Sequence, residues 1–112
     1  MTNKTERELN IELAELIGLE ICEFQSPNDS ILIQGEWDAY AVDYCNNAND
    51  LEPLIEEYNI ACIPELLDYR WRAFAVELHI GVPVERYEAF NATRKRAIVE
   101  CLIALLTEKN KG

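Results

Sequence analysis

Chemistry on this chain would have to start from Cys45, His79, a pair of carboxylates or the run Arg94-Lys95-Arg96, the residues able to attack, move protons or hold an anion. A cysteine nucleophile needs a base beside it and a third group that orients the base. Cys45, followed by Asn46 and Asn47, and the single histidine His79 supply the types. Their surroundings carry none of the local signatures of cysteine enzymes, so His79 reads as a strand residue. Cys22, Cys62 and Cys101 are scattered and no C-x-x-C occurs, so the four thiols read as reduced core residues and not as a metal centre. Among 21 acidic residues no pair stands out for acid–base work, and the four glycines are not clustered as a phosphate loop requires. An enzyme is disfavoured on these grounds, and no cofactor or metal is expected.

Arg94-Lys95-Arg96 breaks a local rule. The run falls in the expected first turn of the last helix, where the helix dipole is positive and each exposed cation is unfavourable by about 0.3–1 kcal/mol. Such a violation calls for a compensating role. Acidic partners could tether the helix to the rest of the fold, or the free N–H groups and cations could form a site for phosphate or an acidic partner.

The elements that must position these residues follow from patterning. Thr5-Glu6-Arg7-Glu8 is a capping box, Leu9, Leu13, Leu16 and Ile17 form a buried stripe, and Gly18 stops the first helix. Residues 20–24 and 31–34 flank a turn-rich segment and suggest a hairpin, followed by an irregular, aromatic connection over 35–42 with room for a short strand. Asn49 and Asp50 are the expected caps of a second helix, with Pro53 in its first turn and Leu51, Leu54, Ile55 and Tyr58 on its apolar face. Ile60–Ile63 reads as a short strand ended by Pro64, then a loop to Asp68. A long strand follows over 69–80, with a partner over 84–89 after the Gly81-Val82-Pro83 break. The third helix starts near Asn91 or Thr93 and buries Ala97, Ile98, Cys101, Leu102 and Leu105. The sum is an α+β fold of three helices and a small, mainly antiparallel sheet, layered as an alpha/beta sandwich and spanning 1–112 as one domain.

The stretch from Tyr44 to Ile60 resembles the motif of the NinX-like family of small phage and prophage proteins, related to the phage ABA sandwich domain. Tyr44, Cys45, Asp50, Pro53, Leu54, Ile55 and Ile60 fit its frame, and Arg96-Ala97 is similar to the opening of its last helix. Leu51 stands where the family pattern has Ala, and Glu52 where it has Trp; Trp37 or Trp71 would have to replace that ring. The resemblance implies a phage or prophage origin and no defined activity.

Charge then points to partners. The net charge is −11, and it is uneven: residues 1–69 hold 16 acidic and 2 basic side chains, residues 70–112 hold 5 and 8. With the phage resemblance, this suggests an interaction module whose acidic half covers a basic surface of a host or phage protein, as a nucleic-acid mimic would. The alternative is nucleic-acid binding through Arg70, Arg72, Arg86, Arg94, Lys95 and Arg96, with Trp71 and Tyr87 to stack, which the overall negative charge opposes. No apolar run approaches the roughly 18 residues of a membrane span, and the first residues are polar, so a soluble, cytoplasmic protein is expected.

Overall fold

The computed structural model describes residues 4–22 and 30–111. Its architecture is α+β, with three helices and two small antiparallel sheets. Helix α1 (Glu6–Ile17) begins at Thr5, whose side chain accepts from the Glu8 N–H while Glu8 accepts from the Thr5 N–H. It ends at Gly18 at φ 98°, whose N–H returns to Ala14 and Glu15. A side chain there would force the left-handed conformation that glycine alone adopts freely. Leu9, Asn10, Leu13 and Ala14 are buried, whereas Leu16 and Ile17 of the expected stripe are only half-buried against the core.

Strands β1 (Ile31–Gln34) and β2 (Ala39–Val42) form the first sheet, with Ile31 opposite Val42 and Gln34 opposite Ala39. The 35–42 connection is therefore half strand. Its turn closes through the Gly35 N–H on the Asp38 carbonyl at 3.1 Å, and a Cβ on Gly35 would lie 2.5 Å from that oxygen. The anticipated pairing of 20–24 with 31–34 survives as a bridge between Ile21 and Ile33. The Cys22 N–H donates to Leu32 and the Gln34 N–H to Glu20. The rest of that hairpin, 23–29, lies outside the described residues.

Helix α2 (Ala48–Tyr58) starts earlier than anticipated. Its cap is Asn47, which accepts from the Asn49 N–H at 2.9 Å, and neither Asn49 nor Asp50 serves. Asp50 instead reaches back to accept the Asp43 N–H at 3.0 Å. Pro53 consequently sits beyond the first turn, at a place where its missing N–H leaves a carbonyl unpaired within the helix, on an exposed face where water can serve it. Leu51 is the buried residue of the helix, while Leu54, Ile55 and Tyr58 are half-buried.

The second sheet is a meander of β3 (Ile60–Glu65), β4 (Arg70–His79) and β5 (Val82–Asn91), in the order β3-β4-β5. Strand β3 runs through Pro64 instead of ending there, because an edge strand can carry a residue with no N–H to donate. The turn is correspondingly shorter, at 66–69. Strand β5 exceeds the expected 84–89 at both ends, and Pro83 is tolerated on the opposite edge. Ala73 pairs with Ala89 but Ala75 with Arg86, so Tyr87 and Glu88 together face Phe74 in a bulge, with Tyr87 at φ 59°. The bulge explains the poor alternation of this strand: it brings Glu85 and Glu88 to one face while Tyr87 and Ala89 pack on the core.

Helix α3 (Arg94–Asn110) is capped by Thr93, which accepts from the Arg96 N–H at 3.3 Å. It buries Ala97, Ile98, Val99, Cys101, Leu102, Leu105 and Leu106, touching α1, α2 and every strand of the meander. Leu51 from α2, Ile31 and Ile33 from β1, and Ala73 and Ala75 from β4 complete the core. No helix of the described residues is long and apolar enough to cross a membrane.

The buried status of Leu51 generates an expected order of damage in denaturant melts. Leu51→Ala should lose about 2–5 kcal/mol, Asn47→Ala about 0.5–2 kcal/mol, and Ile55→Ala less than Leu51→Ala. An Ile55 variant weaker than the Leu51 variant would place the wrong face of α2 inward.

Candidate functional site

The site grows from one side chain that patterning does not flag. Asn10 stands on the apolar face of α1, one position from Leu9 and one turn from Leu13 and Ala14, and is the only fully buried polar side chain among the described residues. Its Nδ2 donates to Asp43 Oδ1 at 2.9 Å and its Oδ1 accepts the Cys45 N–H at 3.2 Å. Asp43 in turn accepts from Asn46 Nδ2, at 3.2 and 3.0 Å to its two oxygens, and its carbonyl accepts the N–H groups of Asn46 and Asn47. A buried amide left unpaired is costly, so this net holds the Asp43–Asn47 segment against α1.

That segment meets the start of α3. Cys45 and Asn46 line a cleft of about 240 Å³ together with Glu6, Thr93, Arg94, Lys95 and Arg96. Asn46 also donates to the Glu6 carboxylate, which fixes an acid on the wall opposite the cations. The cleft thus joins the two stretches the sequence singled out, although about fifty positions separate them. Arg96 is tied inward: Nη2 donates to the Lys4 carbonyl at 2.9 Å, and Nε is buried with no partner. The anticipated carboxylate tether is absent, since no ion pair among the described residues includes Arg94, Lys95 or Arg96. The Arg94 carbonyl accepts the Cys62 thiol at 4.0 Å.

Electrostatics bear on what these groups can do. Burial pushes the Cys45 thiol up to about 12, reinforced by Glu6 and Asp43 and opposed by Arg96. Burial also raises Cys101 to about 12, Cys62 by less, and Tyr44 to about 12 with help from Asp50 and Tyr40. Glu100 is raised by burial against the pull of Asn91 and Arg96. Thiolate is the nucleophilic form, so Cys45 stays inert near neutral pH. Its polar neighbours are Glu6 and Asn10, while His79 lies at the end of β4, 3.5 Å from Glu77. All four thiols are unbridged, and no group of three metal-binding side chains converges among the described residues.

The remaining motif positions are structural in their contacts. Tyr44 and Ile60 are buried, Ile55 is half-buried, Asp50 holds the Asp43 N–H, and Pro53 is exposed. Glu52 is exposed as well. Of the two tryptophans, Trp71 packs half-buried against the core, whereas Trp37 is 87% exposed at the β1–β2 turn.

The arginines of the meander are already engaged. Arg70 stacks over Phe90 at 3.9 Å and pairs with Glu65 and Asp68; Arg72 stacks over Phe74 at 4.4 Å and pairs with Glu85 and Glu88. Arg86 lies 3.7 Å from Glu77 and 5.4 Å from the Tyr87 ring. The Arg70 and Arg72 guanidinium groups lie over the rings of the sheet face opposite Ala73 and Ala75, each paired with its own carboxylates. Tyr87 and Trp71 turn to the core, so the rings named for stacking are spent on packing. The chain matches no protein-family model and no curated protein.

Two outcomes follow from this geometry. Asn10→Ala should lower stability by about 1–3 kcal/mol because it orphans the Cys45 N–H. Neutralising Arg94 and Lys95 to Gln should instead gain about 0.3–1 kcal/mol for each charge at low salt, as no ion pair among the described residues holds them against the dipole; loss of stability in a denaturant melt would reveal a tether.

Titration supplies a further test. Cys45 and Cys101 bind their protons more tightly folded than unfolded, so the stability they contribute is complete below pH 9.0 and is lost as pH climbs toward 12. Denaturant midpoints should fall above pH 9.0, and Cys101→Ala should flatten the slope. An equally steep fall in that variant would assign the effect to other groups.

Proposed function

We propose that the protein is a non-enzymatic interaction module of phage or prophage origin, acting in the cytoplasm, whose acidic half docks on a basic surface of a host or phage protein. The observation that carries this reading is the unneutralised charge of that half. No lysine or arginine occurs between Arg7 and Arg70. Glu36 and Asp38 in the β1–β2 turn and Glu52, Glu56 and Glu57 along α2 are exposed and enter no ion pair among the described residues. Concentrated charge of one sign steers a partner of the opposite sign and sets its orientation. The inert Cys45 thiol and its separation from His79 favour binding over catalysis.

Nucleic-acid binding is the second reading, and one observation keeps it: Arg94 and Lys95 are cations at a helix start that enter no ion pair among the described residues. Against it stand the paired arginines of the meander and the polyanion repulsion of a −11 chain. Capture from host lysate, with and without nuclease, separates the two. A specific protein should survive nuclease and be lost when Glu52, Glu56 and Glu57 are changed to Gln in a variant that melts normally. Recovery of nucleic acid, lost on changing Arg94 and Lys95 to Gln, would overturn the first reading.

A further inference from the structure

We infer that the β1–β2 turn, Glu36-Trp37-Asp38, is the anchor of the docking surface and that it takes an arginine- or lysine-bearing segment of a partner protein, a cation stacking on Trp37 while the flanking carboxylates pair with its neighbours. This rests on the acidic-surface reading and narrows it to one element. Trp37 is 87% exposed, although burying such a ring removes more apolar surface from water than almost any other side chain could. The turn that carries it is held closed by the Gly35 N–H on Asp38, in a geometry that a side chain at Gly35 would disrupt at 2.5 Å. A rigid aromatic pays little ordering entropy on binding, which is why tryptophan is enriched among residues that dominate interfaces.

The class of partner is set by two independent features. One is charge, since Glu36 and Asp38 are exposed, enter no ion pair among the described residues, and lie in the stretch between Arg7 and Arg70 that has no lysine or arginine. The other is how the protein uses four of its other rings. Phe90, Phe74, Tyr87 and Tyr58 each carry an internal cation, Arg70, Arg72, Arg86 and Lys109, at 3.9 to 5.7 Å. Trp37, like Tyr40, Tyr44, Tyr69 and Trp71, has no such cation among the described residues, but it is the exposed indole of the two, and indole is the strongest acceptor of the three ring types. Tyr40 in β2 is 46% exposed as well.

The test uses the full chain and a short labelled peptide of alternating arginine and serine, with a citrulline-for-arginine peptide as control. Binding is followed by anisotropy and by intrinsic tryptophan emission. The wild type should bind the arginine peptide with a change in emission, more weakly as salt rises from about 50 to about 200 mM, and should ignore the citrulline peptide. Trp37→Ala should weaken binding by about tenfold or more and abolish the emission change while its denaturant midpoint stays that of the wild type. Trp37→Tyr should restore most of the affinity. If Trp37→Ala binds as well as wild type, while Glu52, Glu56 and Glu57 to Gln together lose binding, the anchor is wrong and the acidic-surface reading stands. If the wild type fails to bind the arginine peptide at low salt, both are wrong.

Discussion

Covering α3 is the demand that organises this fold. The helix buries seven side chains, from Ala97 to Leu106, over more of its circumference than one neighbour can cover. Each large aliphatic group among them contributes about 1.5–3 kcal/mol only if water is fully excluded. Helix α1, helix α2 and the meander must therefore all close on it, and the alanines facing it, Ala73 and Ala75, let the sheet approach closely. A sheet that gives one face to a helix has to protect the other. Here the cover is made from the sheet itself, with Arg70 and Arg72 laid over Phe90 and Phe74 and held there by carboxylates.

Within that apolar enclosure the Asn10–Asp43 net does a different job. Hydrophobic packing is tolerant of small slides, whereas a buried amide with two directional bonds allows one placement of the chain opposite it. Asn10 thereby fixes where Cys45 and Asn46 stand relative to α3, and Asp50 extends the same register to the start of α2. The cleft at Arg94–Arg96 is a consequence of this docking as much as of its own charges. Arg96 stabilises the junction by bonding the Lys4 carbonyl, which leaves Arg94 and Lys95 lining the cleft at an unfavourable helix end.

What could be read from the sequence follows the range of the interactions. Helix α1 is legible from Thr5, Glu8 and Gly18 because its start and stop signals act within one turn. The α+β class and the long β4 strand are legible for the same reason. The start of α2 is not, because Asn47, Asn49 and Asp50 are all competent caps; the bond from the Asp43 N–H takes Asp50 out of contention, and only the folded loop shows it. The β5 bulge is invisible in an alternation argument that assumes one residue per step, and Tyr87 at positive φ has no local marker. Cys45 meeting Arg96 is a long-range event that no spacing rule encodes. Asn10 could have been noticed as a polar residue on an otherwise apolar face, yet its meaning depends on Asp43, thirty-three positions away.

The distribution of charge then connects folding to partner choice. In the meander, carboxylates and arginines are consumed by each other, so that half of the molecule presents a nearly balanced field despite its many ions. Between Arg7 and Arg70 there is no lysine or arginine, and the exposed Glu36, Asp38, Glu52, Glu56 and Glu57 enter no ion pair among the described residues. Solvated charge of one sign costs little in a small domain at physiological salt, where about 8 Å of solution screens it. Leaving a tryptophan in water in the same region forgoes more. On its glycine-closed turn between two acids the ring is placed as the proposed docking requires, and the charge on either side favours a cationic partner.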